Sequence, residues 1–219
     1  MTTTPPDVPA AIAEQRRLAQ QVRAVWDGPE PTVVVGVDMA GGLYGADVRA
    51  AAVALRWPSL ERLAVAVVEQ PPTFPYVPGL LALREAPAVL AALEQLHQQH
   101  HLTPDLLMVD GQGIAHPRRC GIATYLGVTL DLPTIGVAKS RLVGTHADPG
   151  PAVGDWTPLL DSGQVIGAVL RTRPRANPLY ISVGHRVDLP NAVRLVLAAL
   201  RGYRLPEPTR QADRVSKGK

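Results

Sequence analysis

TVVVGVD, residues 32–38, is the stretch from which the fold can be read. Its valines favour an extended chain, and nothing polar interrupts them before Asp38, so the run reads as a strand buried within a sheet. Two more apolar runs follow, VRAAAVALRW (48–57) and ERLAVAVVEQ (61–70), with a break at "PS". That spacing predicts antiparallel strands joined by a tight turn. Upstream, residues 9–26 read as an amphipathic helix with Ile12, Leu18, Val22 and Val25 on one side, and DGPEP ends it.

Downstream the rhythm changes. Residues 79–100 are helical, and Pro87 is predicted to divide them into a short first helix and a longer second one. DLLMVD (105–110) is a buried strand, RRCGIATYLGVTL (118–130) a helix, and PTIGVA (133–138) a strand. Strand, helix, strand implies parallel neighbours with a right-handed crossover. QVIGAVLRT (164–172) and PLYISVG (178–184) form a later strand pair, and helices follow at 189–202 and 206–215. The expected fold class is therefore α/β, with a mixed sheet, antiparallel meander first and parallel strands after, flanked by helices. The expected organisation is a disordered stretch over 1–8, a single domain over 9–215 and a basic tail over 216–219.

Composition sets outer bounds. The chain has 219 residues, enough for one full core, and aromatics make up only 4%, so aliphatic side chains must fill it. A net charge of +3 permits a polyanionic partner without demanding one. The single cysteine, Cys120, excludes an internal disulfide. No apolar run is long enough to span a membrane, and MTTTPPDVPA lacks the pattern of a secretory signal, so the expectation is a cytoplasmic monomer.

Asp38 and Asp110 each end a buried strand. Aspartate after a strand often serves a turn, and DG is a turn dipeptide. Two carboxylates converging at adjacent strand ends would instead need a shared proton or a cation such as Mg²⁺. Glu85 lies one helical turn after Leu81, on an apolar face, where it must be paired or exposed; Arg84 is its nearest partner. The loop GQGIAHPRRCG (111–121) brings His116, Arg118 and Arg119 directly after Asp110, either as phosphate ligands or as a basic surface loop. Lys139 follows a strand and can hold a phosphate, position water or be solvated. Asp213 by itself reads as a solvated charge. Cys120 and His185 read as structural. No phosphate-binding P-loop, dinucleotide fingerprint, zinc ligand set or serine-hydrolase elbow is present.

GVDMA, FPYVPGLLALREAP, VDGQGIAHPRRCGIA, PTIGVAKSRLVG, NPLYISVGHRV and GYRLPEPTRQAD, in that order between about residue 32 and residue 215, together resemble the endonuclease V (deoxyinosine 3′-endonuclease) family. The resemblance implies a ribonuclease-H-like fold. It implies a metal-dependent nuclease using Mg²⁺, which Mn²⁺ can replace, that cuts the second phosphodiester bond 3′ to deoxyinosine in damaged DNA and leaves a 3′-hydroxyl and a 5′-phosphate. It implies Asp38, Asp110 and Glu85 as metal ligands, joined by Asp213, with Lys139 and His116 near the scissile phosphate and Arg118 and Arg119 on flanking phosphates. Tyr76, between Pro75 and Pro78, falls on the family's wedge, and Gly79, Leu81, Gly111, Ile122 and Leu142 fall on its base pocket. One departure is Gln112, in DGQG, where the family usually has histidine. An RNA endonuclease of the same fold and a module that binds inosine without cutting are the alternatives.

Overall fold

The computed structural model describes residues 7–41 and 47–219. Eight strands form one sheet in the order β3-β2-β1-β4-β5-β8-β7-β6. β1 (Val33–Ala40), β2 (Val48–Arg56) and β3 (Arg62–Gln70) are the antiparallel meander, and β1 also pairs in parallel with β4 (Leu106–Val109). α3 (Ile122–Leu130) carries the chain from β4 to its parallel neighbour β5 (Thr134–Ala138). β6 (Trp156–Asp161), β7 (Gln164–Leu170) and β8 (Leu179–His185) complete the sheet with antiparallel pairings. This is the ribonuclease-H-like mixed sheet with helices on both faces that the motifs imply.

Strand alternation explains why β1 is covered on both sides. Val35 and Val37 pack toward α2 (Leu81–His100) and α3, whereas Val34 faces α4 (Leu189–Ala198) and α5 (Glu207–Ser216). The core is built from small residues. Ala50, Ala52 and Ala54 on β2 meet Ala82, Ala86, Ala88 and Ala92 on α2, which lets helix and sheet approach closely. A closer approach lies on the other face: a Cβ at Gly36 would sit 2.0 Å from the carbonyl oxygen of Pro208, so only glycine lets α5 dock against β1.

Several boundaries differ from the sequence reading. α2 is one helix of 20 residues with Pro87 inside it. Proline removes one backbone donor, but Ala86, Ala88 and Val89 on either side are buried against the sheet, and that packing holds the helix together. α1 (Val8–Ala19) stops before residue 26. The chain beyond it is drawn along the fold, where Arg23 N–H donates to His185 Nδ1 at 3.3 Å, and Val25 is exposed. Of the stretch expected to be disordered, residues 1–6 lie outside the described residues, while Asp7 caps α1 and Val8 begins it. Ser216, placed by the sequence reading in the basic tail, is the buried last residue of α5. β6 escaped the sequence reading altogether. Among the described residues, no helix is long and apolar enough to cross a membrane.

Candidate active site

The pairing of β1 with parallel β4 stops at Val37 opposite Val109; Asp38, which lies within β1 rather than at its end, and Asp110, which follows β4, emerge together there. α5 crosses above them and supplies Asp213. One carboxylate oxygen from each of Asp38, Asp110 and Asp213 lies within 4.8 Å of the others. Asp38 is buried, and Ser216 Oγ–H donates to its carboxylate from one turn beyond Asp213. Lys139, just past β5, pairs with both Asp110 and Asp213, and Lys217 Nζ reaches Asp213 at 2.7 Å. Asp110 Oδ2 is buried and feels the Lys139 charge, yet no donor is aligned to hydrogen-bond it.

Electrostatics show the cost of this arrangement. Burial, then the neighbouring Asp110, pushes the Asp38 carboxyl well above the ordinary carboxylate range. Glu85, on the first turns of α2, is pushed up to about 8, first by burial and then by the Asp38 charge, with Asp110 adding to it and Arg84 opposing. Burial would raise Asp213 too, but hydrogen bonds from Lys139 and Lys217 hold it below its usual value. Burial disfavours the Lys139 charge, and the surrounding carboxylates more than restore it. A set of crowded, desolvated carboxylates relieved only partly by lysine fits a bound cation, and its all-oxygen donors fit a hard divalent ion. Glu85 stands beside the three aspartates and couples to two of them, without joining the group of oxygens within 4.8 Å.

Against this cluster lies a cavity of about 450 Å³, within the range of small-molecule sites. Gly79, Leu81, Gly111, Ile122 and Leu142 all line it, as do Tyr76, Pro78 and His116. Pro75 is exposed outside the lining. Glu85, Asp110 and Lys139 also face the cavity, so it shares a wall with the carboxylate cluster.

The sequence pattern of the family described as Endonuclease V matches residues 16–214. The chain belongs to the endonuclease V family. It is 53% identical over 209 residues to Endonuclease V of Roseiflexus sp. (strain RS-1), covering 94% of this chain and 91% of that one. The structure of Endonuclease V from Streptomyces avermitilis superposes with a TM-score of 0.89 at 43% identity, covering 98% of this chain and 93% of that one. Ciona intestinalis Endonuclease V, solved with a 24mer DNA containing an inosine followed by a ribo-adenosine, is 25% identical with a TM-score of 0.83, and 96% of each chain is covered. These relatives are nucleases, and this member of the family is an endonuclease with a candidate metal centre.

Three residues expected on phosphates are otherwise engaged. His116 is buried; its Nε2 meets the Gly79 carbonyl at 3.1 Å, and its Nδ1 accepts the Arg118 N–H at 3.2 Å. Burial, reinforced by Arg118, pulls its imidazole down to about 4, so at neutral pH it is an uncharged brace. Arg118 donates to Gly79 and to Gln15, and Arg119 bonds the His116 carbonyl at 3.0 Å and Asp161 at 2.6 Å. The basic residues of the loop after β4 are thus engaged by the protein itself.

Gln15 escaped notice. It is fully buried on α1, donates to the Gly79 carbonyl at 2.9 Å and the Cys120 carbonyl at 3.0 Å, and accepts from Arg118. Its signal was present as the one polar member of the buried stripe Ala11, Gln15, Leu18. Ser216 and Lys217 carried none, because their partners lie in distant sequence or look solvated. Gln112 donates Nε2–H to the Ser140 carbonyl at 2.9 Å, tying the loop after β4 to the loop after β5.

Proposed function

We infer that the protein is a Mg²⁺-dependent endonuclease that recognises deoxyinosine in damaged DNA and hydrolyses the second phosphodiester bond 3′ to it, leaving a 3′-hydroxyl and a 5′-phosphate. The observation that carries this reading is the wall shared by the cavity and the carboxylate cluster, where Glu85, Asp110 and Lys139 face both. A base extruded into the cavity would bring its own strand up to the carboxylates. Extrusion costs a few kcal/mol of stacking and pairing. Tyr76, half-buried at the cavity with Pro75 and Pro78 stiffening its loop, is suited to fill the gap left in the duplex.

Asp38, Asp110 and Asp213 would hold the cation, with Glu85 beside them. When bound, Mg²⁺ supplies a Lewis acid for the phosphodiester and lowers the pKa of water. Lys139, kept protonated by the aspartates, presents positive charge where negative charge grows on the phosphate. Gln112 cannot exchange a proton near neutral pH, so any proton transfer that histidine would serve there falls to water or another group. The reading sets this chemistry in the cytoplasm, on a monomer, in keeping with the single buried Cys120.

The Ciona complex, with ribo-adenosine after its inosine, favours a second reading in which inosine-bearing RNA is also cut. A labelled duplex with one deoxyinosine, incubated with Mg²⁺ or EDTA, tests the first reading; a Mg²⁺-dependent nick at the second bond is expected. Binding without a nick would overturn the cleavage assignment. Matched DNA and RNA substrates rank the two readings by rate.

A further inference from the structure

A second concavity, of about 490 Å³, opens between the start of β3 and the outer face of α5. Arg62, Arg210, Gln211, Arg214, Val215 and Lys219 line it, with no carboxylate side chain among them. We propose that this groove binds the phosphodiester backbone of the nucleic-acid substrate at a distance from the cut. The proposal rests on the nuclease reading above and adds a contact outside the catalytic centre.

Arg210 and Arg214 are one helical turn apart, so both point from one side of α5, while Asp213 and Ser216 turn toward Asp38. Arg210 is already oriented: Glu207 takes two hydrogen bonds from it, each 2.7 Å, and its guanidinium lies 4.3 Å from the centre of the Tyr203 ring. Arg62 and Arg214 are exposed, and neither is ion-paired among the described residues. The acid next to Arg62, Glu61, is held by Arg56 at 3.0 Å. Arg62 and Arg214 thus present guanidinium groups without anions of their own beside the Glu207-paired Arg210, and their planar forks match phosphate oxygens. The need for such a site is plain from the catalytic loop, where Arg118 and Arg119 are spent on the protein itself.

Sheet register sets the span. Asp38 is opposite Ala51, Ala51 is opposite Val67, and Arg62 lies five residues before Val67. Two strand spacings across and five residues along amount to about 20 Å. On a duplex that is roughly six base pairs, so substrate length decides whether the Arg62 end of the groove can be reached.

Binding should be measured by fluorescence anisotropy in EDTA, on an inosine duplex reaching about 15 base pairs to each side and on one reaching about 3. Arg62→Ala with Arg214→Ala should weaken the long duplex by about 10-fold, lower its salt slope by about 2, and leave the short duplex within about 2-fold. Arg62→Lys with Arg214→Lys should retain most of the affinity, and melting curves for all variants should coincide. Unchanged affinity for the long duplex, or the same loss at both lengths, would overturn the groove while leaving the cleavage reading intact. Wild-type protein that binds the long duplex through these residues but never nicks it would uphold the groove and overturn the cleavage reading. Wild-type protein that binds neither duplex would overturn both.

Discussion

Glu85→Gln should change the pH dependence of stability in metal-free protein. The Glu85 carboxyl is buried beside Asp38 and Asp110 and rises from an ordinary 4.5 to about 8. Its folded-state pKa exceeds the unfolded one, so the folded chain binds the proton more tightly. The resulting stability is fully present below about pH 4.5 and disappears as pH rises through about 8. At about 1.4 kcal/mol per pH unit, that interval has a ceiling of about 5 kcal/mol, and residual solvent contact reduces it to roughly 2–3 kcal/mol. Glutamine keeps the shape and removes the titration. In EDTA, thermal melts followed by circular dichroism should find the variant and wild type equal near about pH 5, and the variant higher by about 4–8 °C near about pH 9. Adding Mg²⁺ should raise wild type more than the variant. A variant that melts below wild type near about pH 9, or by the same margin at every pH, would refute the idea that Glu85 is a strained, desolvated acid.

Gly36→Ala should destabilise the protein by about 3 kcal/mol or more, because the new methyl meets the Pro208 backbone at 2.0 Å; urea unfolding measures it, and a cost below about 1 kcal/mol would mean that α5 slides freely. Gln15→Leu takes the side-chain donor from the Cys120 carbonyl and the acceptor from Arg118 Nε–H, while the Gly79 carbonyl keeps His116 and Arg118; it should cost about 2–4 kcal/mol in the same assay while raising proteolysis of the 111–121 loop. Tyr76→Ala should weaken binding to inosine-bearing duplex by about 10-fold or more and leave Mg²⁺-induced stabilisation unchanged, as calorimetry and melting would record; an equal loss of both would remove its role as a wedge.

Val33–Ala40, Val48–Arg56 and Leu106–Val109 were readable because they are apolar enough to be covered on both faces, and the edge strand Arg62–Gln70 because its apolar run buries Ala64 and Ala66. Each of two such runs leads into an aspartate, Asp38 or Asp110, which left a turn role and a converging pair both open; the parallel pairing of β1 with β4 brings them together. β6 was not readable, since Trp156–Asp161 holds Pro158 and buries only Leu159. It is the last strand of the sheet, where a missing N–H and a polar surface are tolerated, and such strands lack a buried pattern to detect. Pro87 misled in the opposite way: local preference opposed a continuous helix, and the alanines packed against β2 prevailed. Within the site, residue type announced a basic loop but not its direction. Whether Arg118 faces phosphate or Gly79 depends on Gln15, 103 residues earlier in the chain.

The candidate metal centre draws on residues 38, 110 and 213, and the last of these arrives on a helix seated over Gly36. A ribosome makes the chain from its first residue onward, so Asp38 and Asp110 are synthesised well before α5. Until that helix docks, Asp38 lacks Ser216 and the cluster lacks Asp213. A chain cut before α5 would therefore keep Asp38 and Asp110 but hold neither Asp213 nor the Ser216 hydroxyl against them.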